Sequence, residues 1–195
     1  SGTGAGPLPR PESPVPLPGW VGSEAPPPSL TQPARNRFAV KAIASSFGAI
    51  NLEDIAAPKC FEIEERLKTE LDIPVFHDDQ HGTAIVTLAG LINAMKVVGK
   101  NLADTKIVIV GAGAAGTAIT KLLHAYAKPQ IIAVDSKGII SNNRTDLNTE
   151  KRLLLQFVDG SIDGSLADAL DDADVFIGVS QPGLLTRDLV AAMAP

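Results

Sequence analysis

A continuous apolar strand running straight into Gly111-Ala112-Gly113-Ala114-Ala115-Gly116 constrains this chain more than any other feature. After its lysine, Lys106-Ile107-Val108-Ile109-Val110 is apolar and β-branched throughout, the mark of a strand buried on both faces. The glycines follow a G-x-G-x-x-G spacing, and a helical pattern continues to about Tyr126. Each position has a reason. One glycine makes the tight turn, one lets the backbone approach a pyrophosphate, and one allows close packing of helix on strand, with the phosphates at the helix N-terminus. The next predicted strand, 130–134, ends at Asp135, where a carboxylate can accept hydrogen bonds from adenine ribose hydroxyls. A Gly-rich turn between packed elements is the plain alternative, but strand, turn, helix and acid in this order predict a dinucleotide site. Asp135 would repel a 2′-phosphate, which favours NAD over NADP, and Lys137 and Arg144 are near enough in sequence to soften that preference.

The same alternation runs along the chain. A helical stretch over 38–44 precedes a short apolar strand over 47–52, which stops at Glu53-Asp54. Pro58 suits a first helical turn, and Cys60, Ile63, Leu67 and Leu71 carry the period of an amphipathic helix. The strand 73–76 runs into His77-Asp78-Asp79-Gln80-His81, and Gly82-Thr83 opens a helix ended by Gly99. Further on, helices are predicted over 148–158, 165–170 and 187–193, with a strand over 174–180. Strands alternating with helices mean βαβ units. The fold class is therefore α/β, a doubly wound parallel sheet of the Rossmann type over 37–195, with ligand chemistry at the carboxyl ends of its strands.

Composition separates the remainder. Of the 15 prolines, 10 fall in the first 35 residues, so residues 1–36 are predicted to be a disordered Pro/Gly-rich arm with too little apolar surface to offset folding entropy. The net charge of −5 then belongs to the later residues, and an acidic domain is a poor non-specific ligand for nucleic acid. A single cysteine, Cys60, excludes an internal disulfide framework and fits a reducing, cytoplasmic setting. No apolar run approaches the roughly 20 residues of a membrane span, so no membrane partner is expected. There is no secretory signal pattern, and a first residue other than Met suggests a fragment or an expression remnant.

The acid pairs are the second candidate site. Glu53-Asp54 and Asp78-Asp79 end strands in consecutive βαβ units, so right-handed crossovers would gather four carboxylates at one sheet edge. A hard divalent ion, Mg²⁺ or Mn²⁺, would take their oxygens and supply the missing positive charge. The alternative is that each pair is a solvated turn or a helix cap. His77, His81 and Cys60 lack regular zinc spacing and sit among carboxylates, so structural or hydrogen-bonding roles are expected of them. Ser180-Gln181-Pro182-Gly183 suits a cofactor-side loop, though it also reads as an ordinary turn.

Five segments, in order and spacing, resemble the malic enzymes, most of all the short bacterial type. They are Asn51 to Ile55, Val75 to Ala84, Gly111 to Gly116, Asp135 to Gly138 and Ile177 to Ser180, within a match running from about Phe38 to Pro195. The resemblance implies metal-dependent oxidative decarboxylation of L-malate to pyruvate and CO₂ with reduction of NAD or NADP. It implies Glu53, Asp54 and Asp79 as metal ligands, with Asp78 beside the catalytic groups. It implies Gly111, Ala112, Gly113, Ala114, Ala115, Gly116, Asp135, Ser136, Val179 and Ser180 as the dinucleotide site, with Ser180 near the nicotinamide. Homo-oligomers are implied for the intact family. The family's proton-transfer lysine and tyrosine belong to a preceding domain that the arm does not resemble, and its substrate-holding asparagine segments follow the matched stretch. The expectation is a central part, truncated at the C-terminus, that binds cofactor weakly and turns over malate poorly or not at all. A non-catalytic NAD-binding module and a nonfunctional gene remnant are the competing readings.

Overall fold

The structure, a computed structural model, describes residues 32–195. The expectation for residues 1–31 lies outside the described residues. Helix α1 spans Gln32–Ile43, so the last positions assigned to the arm are helical instead. A proline such as Pro33 is tolerated in a first helical turn, where its missing N–H has no partner to lose. One helical turn apart, Arg37 and Lys41 both reach Glu70, at 3.5 and 2.9 Å.

Strand β1 (Ile50–Leu52), helix α2 (Lys59–Glu70) and strand β2 (Val75–His77) form the first βαβ unit. The strands are parallel, with Ile50 beside Val75 and Leu52 beside His77. Ile63 and Leu67 of α2 pack on Leu52 and Val75, with Val40 of α1 closing the cluster. This unit is a two-stranded sheet of its own, so the single sheet expected from the sequence is divided. The reason lies in strand β3 (Lys106–Val110), whose two hydrogen-bonding edges are both taken, by β4 (Gln130–Asp135) and β6 (Val175–Gly178). β2 therefore cannot pair with β3, and among the described residues it pairs with β1 alone.

The larger sheet has the order β5-β4-β3-β6, with β5 (Gly138–Ile139) hairpinned antiparallel onto β4. Helices cover both faces, as doubly wound architecture requires. On one face Ile107, Ile109, Ile131 and Ile177 meet helices α3 (Thr83–Val98) and α4 (Ala114–Tyr126) through Ala84, Met95, Ile119 and Leu123. On the other, Val108, Val110, Ile132 and Val134 meet Ala169 and Leu170 of α6 (Leu166–Leu170) and Leu189 of α7 (Arg187–Ala191). Between β5 and α6, helix α5 spans Thr149–Leu154, with the Asn148 side chain accepting from the Lys151 N–H as its cap. The predicted elements at 47–52, 148–158, 174–180 and 187–193 are all present but shorter. Turn and cap residues claim their ends.

Before α3 the chain makes a π-helical turn, Asp78–Gly82, that joins it without a break. The result is a helical run of 21 residues, Asp78–Val98, long and apolar enough by length and composition to cross a membrane. That corrects the expectation that nothing in the chain approaches this length. The run nevertheless buries Ala84 and Met95 in the core of the larger sheet while Val86 and Val97 stay exposed. Gly99, at φ +68°, ends it in a left-handed cap.

The closest backbone approach in the domain is at Gly116, where a Cβ would lie 1.7 Å from the Gly111 carbonyl oxygen. Gly116→Ala is expected to lower the unfolding free energy by at least about 2 kcal/mol, the cost of overpacking a rigid site. Chemical denaturation measures it, and an Ala variant of wild-type stability would refute this packing constraint.

Candidate functional site

Two centres assemble from the candidate residues. The first stands at the carboxyl end of the larger sheet. Gly111 continues β3 at φ +119° and donates its N–H to the Val134 carbonyl at 2.9 Å. A side chain there would meet the Val179 carbonyl at 2.9 Å as well as the φ penalty, so the turn demands glycine. Gly113 precedes the first turn of α4 and is exposed, with nothing within 4 Å of where its Cβ would be. That open space lies beside the first N–H groups of α4, which have no partner within the helix. With no acid in this first turn, it suits an anion.

Between the ends of β3, β4 and β6 lies a cavity of about 450 Å³, whose walls include Asp135, Ser136, Ser165, Ser180 and Gln181. The structure thus brings Asp135, Ser136 and Ser180 together as expected. Ala112 and Val179 turn inward instead, into apolar clusters below the loop. The sequence places Ser165 only at the start of a helix and Gln181 only in the loop after Ser180, and assigns neither to the dinucleotide site. Ser165 could have been noticed from its Ser-x-x-Asp spacing to Asp168, a capping box that begins α6 at the cavity wall.

Asp135 differs most from expectation. Its carboxylate side chain is only 6% exposed and is held by Arg144 at 2.8 Å on one oxygen and Lys151 at 2.6 Å on the other. The Lys137 N–H also donates to it. Burial pushes the Asp135 carboxyl up, but the hydrogen bonds from Arg144 and Lys151 outweigh that and hold it below its usual range. Arg144 pairs in turn with Asp146, which Lys137 also reaches at 2.7 Å. A ribose hydroxyl would therefore meet an acceptor already engaged. The repulsion of a 2′-phosphate invoked to favour NAD loses its force, because two cations neutralise that charge. Lys151 carried no sequence signal, since nothing in its spacing links it to Asp135.

The second centre is built on the small sheet. Parallel register sets Leu52 beside His77, so Glu53 and Asp78 leave adjacent strand ends. Asp54, in the left-handed region at φ +56°, donates its backbone N–H to Asp79 Oδ2 at 3.0 Å. His77 is fully buried, its Nε2 lies 3.6 Å from that same oxygen, and neither ring nitrogen has a hydrogen-bond partner. Among the described residues, no three His, Cys, Asp or Glu side chains are gathered at coordinating distance. The donor chemistry still fits a hard cation: carboxylates at adjoining strand ends, one of them, Asp79, accepting from the Asp54 backbone N–H, beside an orphaned buried imidazole. The turn carrying Asp78 and Asp79 packs against α4, which links the two centres.

Comparison with known proteins gives the family of this domain. The family model for the NAD binding domain of malic enzyme matches residues 80–195. The chain is 57% identical over 157 residues to a bifunctional malic/malolactic enzyme of Bacillus subtilis, a match covering 80% of this chain and 38% of that protein. It is 50% identical over 157 residues to an NADP-dependent malic enzyme of Halomonas elongata, covering 80% and 36%. Among solved structures, an NAD-dependent malic enzyme of Thermotoga maritima superposes with a TM-score of 0.79 at 43% identity, over 85% of this chain and 45% of that one. The chain spans less than half the length of these relatives.

Two outcomes follow from the first centre. Gly113→Ala should change stability by less than about 1 kcal/mol, a typical cap effect, yet weaken dinucleotide binding about tenfold through the lost phosphate approach. Equal affinities by calorimetry would remove Gly113 from the site. Arg144→Ala should cost about 2 kcal/mol of stability at neutral pH, the scale of a charge-assisted hydrogen bond. Because Asp135 is depressed in the folded state, that difference is full above about pH 4 and is lost as pH falls through the lowered value. A gap that is constant down to pH 2 in denaturation curves would contradict the pairing.

Proposed function

This chain belongs to the malic enzyme family through its NAD-binding domain, and on that premise we propose that it carries the dinucleotide- and divalent-cation-binding part of an oxidoreductase that converts L-malate to pyruvate and CO₂. The observations that support the reading most directly are the open face of Gly113 at the start of α4 and the cavity walled by Asp135, Ser136 and Ser180 at the ends of the neighbouring strands.

The division of labour follows from the residues. Gly111 and Gly116 let the turn and helix come close, and the α4 N-terminus beside Gly113 holds the pyrophosphate. Ser136 and Ser180 offer hydroxyls at the cavity walls to the ribose and nicotinamide ends. Arg144 and Lys151 neutralise Asp135, so the site accepts NAD and also tolerates the 2′-phosphate of NADP. Glu53, Asp54 and Asp79 would hold Mg²⁺ or Mn²⁺, with Asp78 facing the reacting groups. The bound dinucleotide supplies a hydride acceptor and the cation a Lewis acid for the oxygen that gains charge as CO₂ leaves. We place the activity in the cytoplasm and, for the whole protein, in a homo-oligomer. The 195 residues by themselves carry the binding share, so malate turnover by this stretch alone is poor or absent.

Calorimetric titration with NAD and with Mn²⁺, separately and together, tests the reading. Both ligands should bind, and each should tighten the other, since the two centres meet through α4. Silence for both would favour a remnant without function, and NAD binding with no response to Mn²⁺ would favour a non-catalytic NAD module. In the same preparation, NADH absorbance should not rise with malate and Mn²⁺. A clear malate-dependent rise would overturn the division proposed here.

A further inference from the structure

The acid-bearing turn has a device behind it that none of its expected ligands explains. Helix α2 joins the strand that ends at Glu53-Asp54 to the strand that ends at Asp78-Asp79. In its middle Glu64 is buried, at 5% exposure. Its two oxygens reach across to the turn: Oε2 accepts from Gln80 Nε2 at 3.0 Å, and Oε1 lies 2.7 Å from His81 Nε2. Lys68, one helical turn on, reaches the same Oε1 at 2.9 Å. Gln80 and His81 are the two residues directly after Asp79.

The turn they occupy is an unusual one. Thr83 donates its N–H to the Asp78 carbonyl, closing the wide loop of a π turn. Such turns are rare and often mark functional sites, and this one has side-chain contacts that can hold it. Glu64 makes those contacts from a neighbouring element, and it holds the buried Gln80 amide as well as the His81 ring. Without it the Gln80 amide would be left buried without a partner, and a tighter turn would swing Asp78 and Asp79 relative to Glu53 and Asp54.

We propose that Glu64 is a positioning residue for the divalent-cation site, acting through Gln80 and His81 on the turn that carries Asp78 and Asp79. The inference rests on the metal reading given above. Glu64 touches none of the expected ligands, and it fixes the frame in which the second acid pair meets the first.

Mn²⁺ binding by the full chain, followed by electron paramagnetic resonance, tests it, with NAD affinity as the control at the other centre. Removing an outer-shell partner typically weakens metal binding by about 10- to 100-fold, so Glu64→Ala should lose at least about tenfold in Mn²⁺ affinity with NAD affinity unchanged. Glu64→Gln keeps an acceptor oxygen for one of the two partners and should fall between Ala and wild type. Lys68→Ala removes only the outer ion pair and should bind Mn²⁺ as wild type does. Where Glu64→Ala does not fold, the comparison of Glu64→Gln with Lys68→Ala decides. Variants at Glu64 that melt earlier yet bind Mn²⁺ like wild type would overturn the positioning role. A wild-type chain that binds no Mn²⁺ would instead overturn the metal reading itself, and this inference with it.

Discussion

The larger sheet depends on how closely helix α4 approaches the strand that feeds it. Gly116 lies so near the Gly111 carbonyl that no side chain fits between them, and Gly111 is pressed in turn against the Val179 carbonyl at the end of β6. This contact seats α4 over Ile107 and Ile109 and lets Ile119 and Leu123 enter the core. Packing and ligand binding therefore share a residue pattern. Gly111 and Gly116 serve packing, while Gly113, with empty space around it, is the one available to a ligand.

Charge is handled in opposite ways at the two centres. At Asp135 the protein supplies its own cations, and the carboxylate is buried between Arg144 and Lys151. At the small sheet Glu53, Asp54, Asp78 and Asp79 follow adjacent strand ends beside the buried His77 imidazole, and among the described residues no lysine or arginine forms an ion pair with any of them. Carboxylates brought close at these ends repel one another, and the cation proposed above would offset that repulsion. The nearest support comes from behind the turn, where Glu64 is occupied with Gln80 and His81.

Much of this was legible along the chain. The Gly-rich turn, the buried run of β3 and the acid at the end of β4 are all local patterns, with period and spacing set by backbone geometry, and each lies where it was expected. The helix limits set by Gly99 and by Ser165 are also local signals. The β4–β5 hairpin went unseen because β5 has only two residues, too few to show a period. The π turn escaped because the side chain that contacts it, Glu64, lies 16 residues before Gln80 on another helix. The same limit hid Lys151.

By itself the sequence determined the α/β class and the order of its βαβ units, because short-range sterics and hydrophobic period decide these. Tertiary structure alone decided that the strands divide into two sheets, since whether β2 can pair with β3 depends on β4 and β6 claiming both edges of β3. It also decided that Asp135 is neutralised and that Asp79 accepts from Asp54. Those facts depend on which charges and N–H groups meet across the fold, and distance along the chain carries no information about that.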